Sequence, residues 1–172
     1  MKTKNQNTKS NLHSTFAWLR PHLALGLALV CLTSVVFEAG ALRGRGSFTG
    51  HASLTPLSGG QVEMQINVAG NVTHLGKSTV RIHSVADFSG PIPTPIPPTT
   101  GVITAANGDT VTFRLRWSVL EVAPGAYQTS GPFDITGGTG RFNNASGAGD
   151  YRGLVDINSG DVTADIAGAL AR

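Results

Sequence analysis

A strict two-residue alternation of apolar and polar side chains recurs along this chain, and it decides the fold class. Val62, Met64, Ile66 and Val68 alternate with Gln61, Glu63, Gln65 and Asn67. Val111, Phe113, Leu115, Trp117 and Val119 alternate with Thr112, Arg114, Arg116 and Ser118, and Val80 and Ile82 with Arg81 and His83. Successive side chains of a strand point to opposite faces, so each run reads as a strand with one buried face. Turn residues separate the runs: Ser58-Gly59-Gly60, Gly90-Pro91, Asn107-Gly108-Asp109, Pro124-Gly125 and Ser159-Gly160-Asp161. The Asn-Gly pair predicts a type I′ hairpin, in which both central residues take positive φ. Eight strands follow, at about 46–55, 61–69, 72–88, 100–106, 110–122, 126–135, 145–157 and 161–170. The third is long enough to break at Gly76. The last also fits a helical spacing, but its alternation and Gly168 favour strand.

No helical run separates these strands, so they pair antiparallel. Eight consecutive antiparallel strands close into a barrel or split into a sandwich, and closure removes exposed edges. The expected fold is all-β: an eight-stranded antiparallel closed barrel over 42–172, preceded by an N-terminal signal or hydrophobic helix. Ile92-Pro93-Thr94-Pro95-Ile96-Pro97-Pro98 interrupts the pattern. Proline cannot donate to a ladder, so 91–98 reads as a stiff Pro-rich loop in extended polyproline conformation.

Residues 1–41 have a different character. Lys2, Lys4, Lys9 and Arg20 precede an apolar run, Leu23–Phe37, and then Ala39-Gly40-Ala41. A basic start, a short apolar stretch and small residues at the cleavage positions are the secretory pattern. Fifteen apolar residues fall short of the roughly 20 that span a bilayer as a helix. A cleaved signal peptide is therefore expected, with an uncleaved membrane anchor as the alternative, and the location is secreted or periplasmic. The single Cys, Cys31, lies in this leader, so no disulfide framework exists. Beyond residue 41, nine basic residues balance nine acidic ones. That balance gives no charge-based case for nucleic-acid binding.

The most distinctive segment is Gly137-Gly138-Thr139-Gly140-Arg141-Phe142-Asn143-Asn144-Ala145-Ser146-Gly147. Its glycines allow a tight corner, Phe142 returns the chain to the core, and small Ala145 and Gly147 let a neighbouring strand approach. The pattern G-G-T-G-x-F-x-x-A-x-G resembles the signature of dirigent proteins and of exported bacterial proteins with allene oxide cyclase-like barrels. The Gly-rich opening strand Gly44–Gly50, the Asn107-Gly108 hairpin and the place of the motif before the last two strands agree with it. The resemblance implies an eight-stranded barrel with a central cavity, often a homotrimer. In plant relatives that cavity orients a reactive intermediate or cyclises a fatty-acid epoxide. This chain departs from dirigent proteins in having no Cys after the leader, and none of the plant acid–base residues can be transferred to a position here.

Motifs for other chemistry fail on spacing. Gly76-Lys77-Ser78 lacks the upstream glycine of a phosphate loop, and strand follows it where a helix is required. His51, His74 and His83 stand singly, without metal-ligand spacing, and no metal or cofactor is expected. No Ser occupies a G-x-S-x-G elbow. The leading reading is a non-catalytic exported barrel that binds a small apolar or amphipathic ligand or acts as an interaction module. Met64, Phe113, Leu115, Trp117 and Phe142 are its candidate ligand contacts. The alternative is an isomerase or cyclase working mainly by confinement. Glu63, Arg81, Arg114 and Asp134 are its first polar candidates. A structural envelope protein with a filled barrel is the third reading. The apolar partners of Arg81, Arg114 and Arg116 predict that these charges face outward.

Overall fold

The computed structural model describes residues 41–172. The expected leader, residues 1–41, lies outside the described residues except for Ala41. Nine strands run in chain order: β1 Leu42–Pro56, β2 Gln61–Val72, β3 Gly76–Asp87, β4 Thr94–Ala105, β5 Thr110–Leu115, β6 Ser118–Ala123, β7 Ala126–Gly138, β8 Ser146–Asp156 and β9 Asp161–Ala171. Each pairs antiparallel with its neighbours. β1 pairs with both β2 and β9, and β5 pairs with β7, so the sheet closes on itself. The segments β5 and β6 lie end to end along β7 and form one stave, giving a closed eight-stranded barrel.

The break between β5 and β6 has a local cause. The register Leu115↔Phe133 and Ser118↔Ser130 sets Arg116 and Trp117 opposite Pro132 and Gly131. Pro132 has no N–H to give, so only the Arg116 N–H bond to the Pro132 carbonyl survives there, at 3.0 Å.

Two local expectations are corrected. The Pro-rich segment is a loop only as far as Pro93; Thr94–Pro98 belongs to β4, and Thr94, Pro95 and Ile96 pair with the end of β3. The pairing of β5 with β4 begins at Thr99, so Thr94–Pro98 forms a sheet edge, where a missing N–H costs little. The Asn107-Gly108 hairpin forms, but only Gly108 has positive φ, at 86°. Gly108 N–H donates to the Ala105 carbonyl and Ala105 N–H to the Asp109 carbonyl, both at 2.9 Å. The longer connection lets Ala106 and Asn107 make an ordinary turn and leaves the left-handed position to Gly108.

The two ends of the barrel differ. The lower end carries the β2–β3, β4–β5 and β7–β8 connections. Here Phe142 is only 1 % exposed and plugs the opening. Gly140, with φ of 59°, turns the chain so that Phe142 points inward. The Arg141 and Arg172 guanidinium groups lie 4.8 and 5.8 Å from the ring centre. Just above, Phe113 and Phe133 meet edge to face, with centroids 6.1 Å apart. Their rings occupy the space that a Cβ at Gly101, Gly149 or Gly168 would claim. Large rings over bare backbone divide the lower half into smaller spaces. The upper end carries the β1–β2, β3–β4, β6–β7 and β8–β9 connections, and its interior is not filled.

Candidate functional site

A cavity of about 90 Å³ occupies the upper half of the barrel. Inward residues of β1, β2 and β3 (Ala52, Leu54, Met64, Ile66, Ile82) form one wall, and Tyr127, Thr129, Tyr151 and Val155 of β7 and β8 the other. Leu115, Trp117 and Val119 close the side, with Phe88 and Pro93 from the β3–β4 connection. Smaller voids of about 50 and 60 Å³ lie around the Phe113 and Phe133 rings. Among the described residues, no Asp, Glu, Lys, Arg or His lines the cavity.

Three of its polar side chains are joined by hydrogen bonds. Ser84 and Thr99 are 2 % and 4 % exposed, and their hydroxyl oxygens lie 2.8 Å apart. Trp117 Nε1–H points at both, 3.2 Å from Ser84 Oγ and 3.1 Å from Thr99 Oγ1. Ser84 follows Val80 and Ile82 on the inward face of β3. Thr99 reaches this position through a bulge. Between the pairs His83↔Thr100 and Val85↔Ile96, one residue of β3 faces three of β4, Pro97-Pro98-Thr99. A bulge re-aims a side chain without ending the ladder. Across the cavity, burial pushes the Tyr151 phenol well above its ordinary pKa, against the weaker opposing effect of a hydrogen bond with Thr129. Tyr151 therefore stays protonated at any physiological pH.

The candidates from the sequence separate into three groups. Met64, Leu115 and Trp117 line the cavity. Phe113 lines only the lower voids, and Phe142 is the plug at the opposite end, so neither contacts the main cavity. Glu63, Arg81, Arg114 and Asp134 lie on the outside of the barrel. Glu63 meets His83 at 2.7 Å and Asp134 meets Arg116 at 3.3 Å, the latter pair largely exposed. Arg81, His83 and Arg114 gather with Gln65, Asn67 and Thr100 along a polar outer groove over β2–β5. The charges thus face outward, as their apolar partners predicted.

The glycine motif is structural in its contacts. Gly137 and Gly140 take positive φ, and the Thr139 hydroxyl receives the Thr110 N–H at 3.0 Å. A Cβ on Gly147 would collide with the β9 backbone at Ala169. Sequence reasoning missed Ser84, Thr99 and Tyr151. Ser84 was available as a small polar residue in an apolar register, whereas the bulge that turns Thr99 inward leaves no periodic signal. Among the described residues, no group of three or more His, Cys, Asp or Glu side chains is placed to hold a metal ion. Comparison with protein-family models, curated proteins and solved structures finds no match to this chain.

Proposed function

We propose that this protein is an exported β-barrel that binds a small apolar or amphipathic molecule in the upper half of its barrel. The observation that carries the reading is the apolar cavity of about 90 Å³, larger than the voids below it and furnished with a hydrogen-bonded hydroxyl–indole cluster. Apolar walls with a few oriented polar groups are the usual make-up of a small-molecule site. The volume suits a compact ligand, since an apolar protein cavity of roughly 150 Å³ accommodates benzene. Export rests on the leader pattern in residues 1–41. The dirigent-like and allene oxide cyclase-like resemblance favours the same reading and adds an expected trimer.

Binding is preferred to isomerisation because the four polar candidates for acid–base work lie outside the cavity. It is preferred to a purely structural role because an unfilled interior contributes nothing to stability. The test is native mass spectrometry of the protein taken from its own host without denaturation. A retained small molecule, released on unfolding, is the expected result. A bare chain that also takes up no added apolar probe overturns the reading. The same spectrum gives the subunit number and the leader cleavage site.

A further inference from the structure

The donor count in the Ser84–Thr99–Trp117 cluster does not close. The cluster contains three polar hydrogens, on Ser84 Oγ, Thr99 Oγ1 and Trp117 Nε1, and two accepting oxygens. The indole N–H is directed at both oxygens, and one hydroxyl donates to the other across 2.8 Å. Two hydroxyls cannot donate to each other at once. The second hydroxyl hydrogen therefore has no acceptor within the cluster. Both hydroxyls belong to side chains more than nine-tenths buried, and both face the cavity. A buried donor without an acceptor is costly, and a ligand oxygen placed there relieves the cost.

The rest of the lining decides the charge of the ligand. With no ionised side chain among the described residues of the wall, a carboxylate or ammonium would lose its hydration and gain no counter-ion there. The one titratable group opposite the cluster whose ionisation burial resists, Tyr151, is held as a neutral phenol. Resting on the binding role proposed above, we infer that the cavity selects a neutral molecule carrying a hydrogen-bond-accepting oxygen, an ether, carbonyl or alcohol, seated against the Ser84 and Thr99 hydroxyls. The remainder of that molecule is apolar and fits the space between Met64, Ile66 and Val155.

Three five-membered rings of nearly equal size test this: tetrahydrofuran, cyclopentane and protonated pyrrolidine. Trp18 and Trp117 are the two tryptophans of the chain, so Trp18→Phe in the full chain leaves a single indole N–H resonance to follow by NMR. Hydration alone favours cyclopentane over tetrahydrofuran, so each affinity is compared between this chain and its Ser84→Ala/Thr99→Val/Trp117→Phe form, which removes all three donors. Binding to the triple variant is read from saturation transfer to the protons of each ring. Tetrahydrofuran binding is expected to weaken about tenfold there, the scale of one lost hydrogen bond. Cyclopentane binding is expected to hold or tighten, and pyrrolidine to shift nothing at neutral pH. Thr99→Ser, which keeps the oxygen, is expected to bind tetrahydrofuran as the parent does, and it guards against misfolding of the triple variant. Equal responses of tetrahydrofuran and cyclopentane overturn the oxygen requirement while leaving the binding role intact. Pyrrolidine bound as tightly as tetrahydrofuran overturns neutrality. Failure of all three rings to move the Trp117 resonance overturns the binding role itself.

Discussion

Phe142 is the place where the closure of the lower end can be weighed. Phe142→Ala removes a ring that is 1 % exposed from a corner with little freedom to collapse. That corner is held by Phe142 N–H to the Thr139 carbonyl at 3.0 Å and Ala145 N–H to the Phe142 carbonyl at 2.9 Å. Buried Phe→Ala substitutions cost about 3–5 kcal/mol, the upper part applying where the cavity persists. The Arg141 and Arg172 guanidinium groups against the ring are among the contacts that the truncation removes. The expected loss is therefore in the upper part of that range, about 4–5 kcal/mol, measured by urea denaturation followed by far-ultraviolet circular dichroism with an unchanged slope. A domain of ordinary stability, about 5–15 kcal/mol, remains folded. Phe142→Leu should recover most of the loss. Because Phe142 does not line the upper cavity, tetrahydrofuran affinity should stay within twofold. A loss below about 1.5 kcal/mol would refute the role of Phe142 as a plug. A large fall in affinity would refute the independence of the two ends.

Neighbouring residues on opposite faces should behave differently. Arg114→Ala, on the outer surface, should change stability by less than about 0.5 kcal/mol in urea titration. Leu115→Ala should cost about 2–3 kcal/mol, the low end for leucine, because one side of Leu115 already borders a void. The reverse order would mean the faces are inverted. Gly101→Ala should cost about 1–3 kcal/mol by driving a methyl into the Phe113 ring, and a stability gain would show that the ring does not occupy that space. Tyr151 gives a pH prediction. Its folded-state pKa is raised, so the unfolded chain releases the phenol proton first. Stability from this group is full below about pH 10 and declines as the pH rises through the folded pKa. Urea midpoints at pH 8 and pH 11 should fall less in Tyr151→Phe than in the parent, and equal falls would contradict the burial of the phenol.

What the sequence revealed follows from what alternation encodes. A period of two reports which face of a strand is buried, so Val62–Val68 and Val111–Val119 were legible as strands, and Arg81 and Arg114 as outward charges. Alternation says nothing about height along the barrel axis. Phe142 is therefore legible as a core residue, but not as one that lies at the end opposite the upper cavity. Nor does it report where a neighbouring strand begins to pair. Pro95, Pro97 and Pro98 looked incompatible with a ladder because the edge that tolerates them exists only after β5 has taken its register from Thr99. The site suffers most from this blindness. Its key hydroxyl, on Thr99, faces inward only because a bulge breaks the alternation.

The void itself calls for an explanation beyond folding. An unfilled cavity costs about 24 cal/mol per Å³, so about 90 Å³ amounts to about 2 kcal/mol. In the lower half Phe113 and Phe133 are set against Gly101, Gly149 and Gly168, and the space left is divided into separate voids of about 50 and 60 Å³. The upper wall has rings of its own, Phe88, Tyr127 and Tyr151, yet it encloses the larger space. It combines them and aliphatic side chains with two buried hydroxyls and the Trp117 indole, joined by hydrogen bonds. Filling the void would be stabilising and chemically simple, whereas maintaining it takes a bulge, two inward hydroxyls and a donor left without an acceptor in its cluster. Such a combination is consistent with the binding role proposed for this cavity, and the two hydroxyls also satisfy the Trp117 N–H.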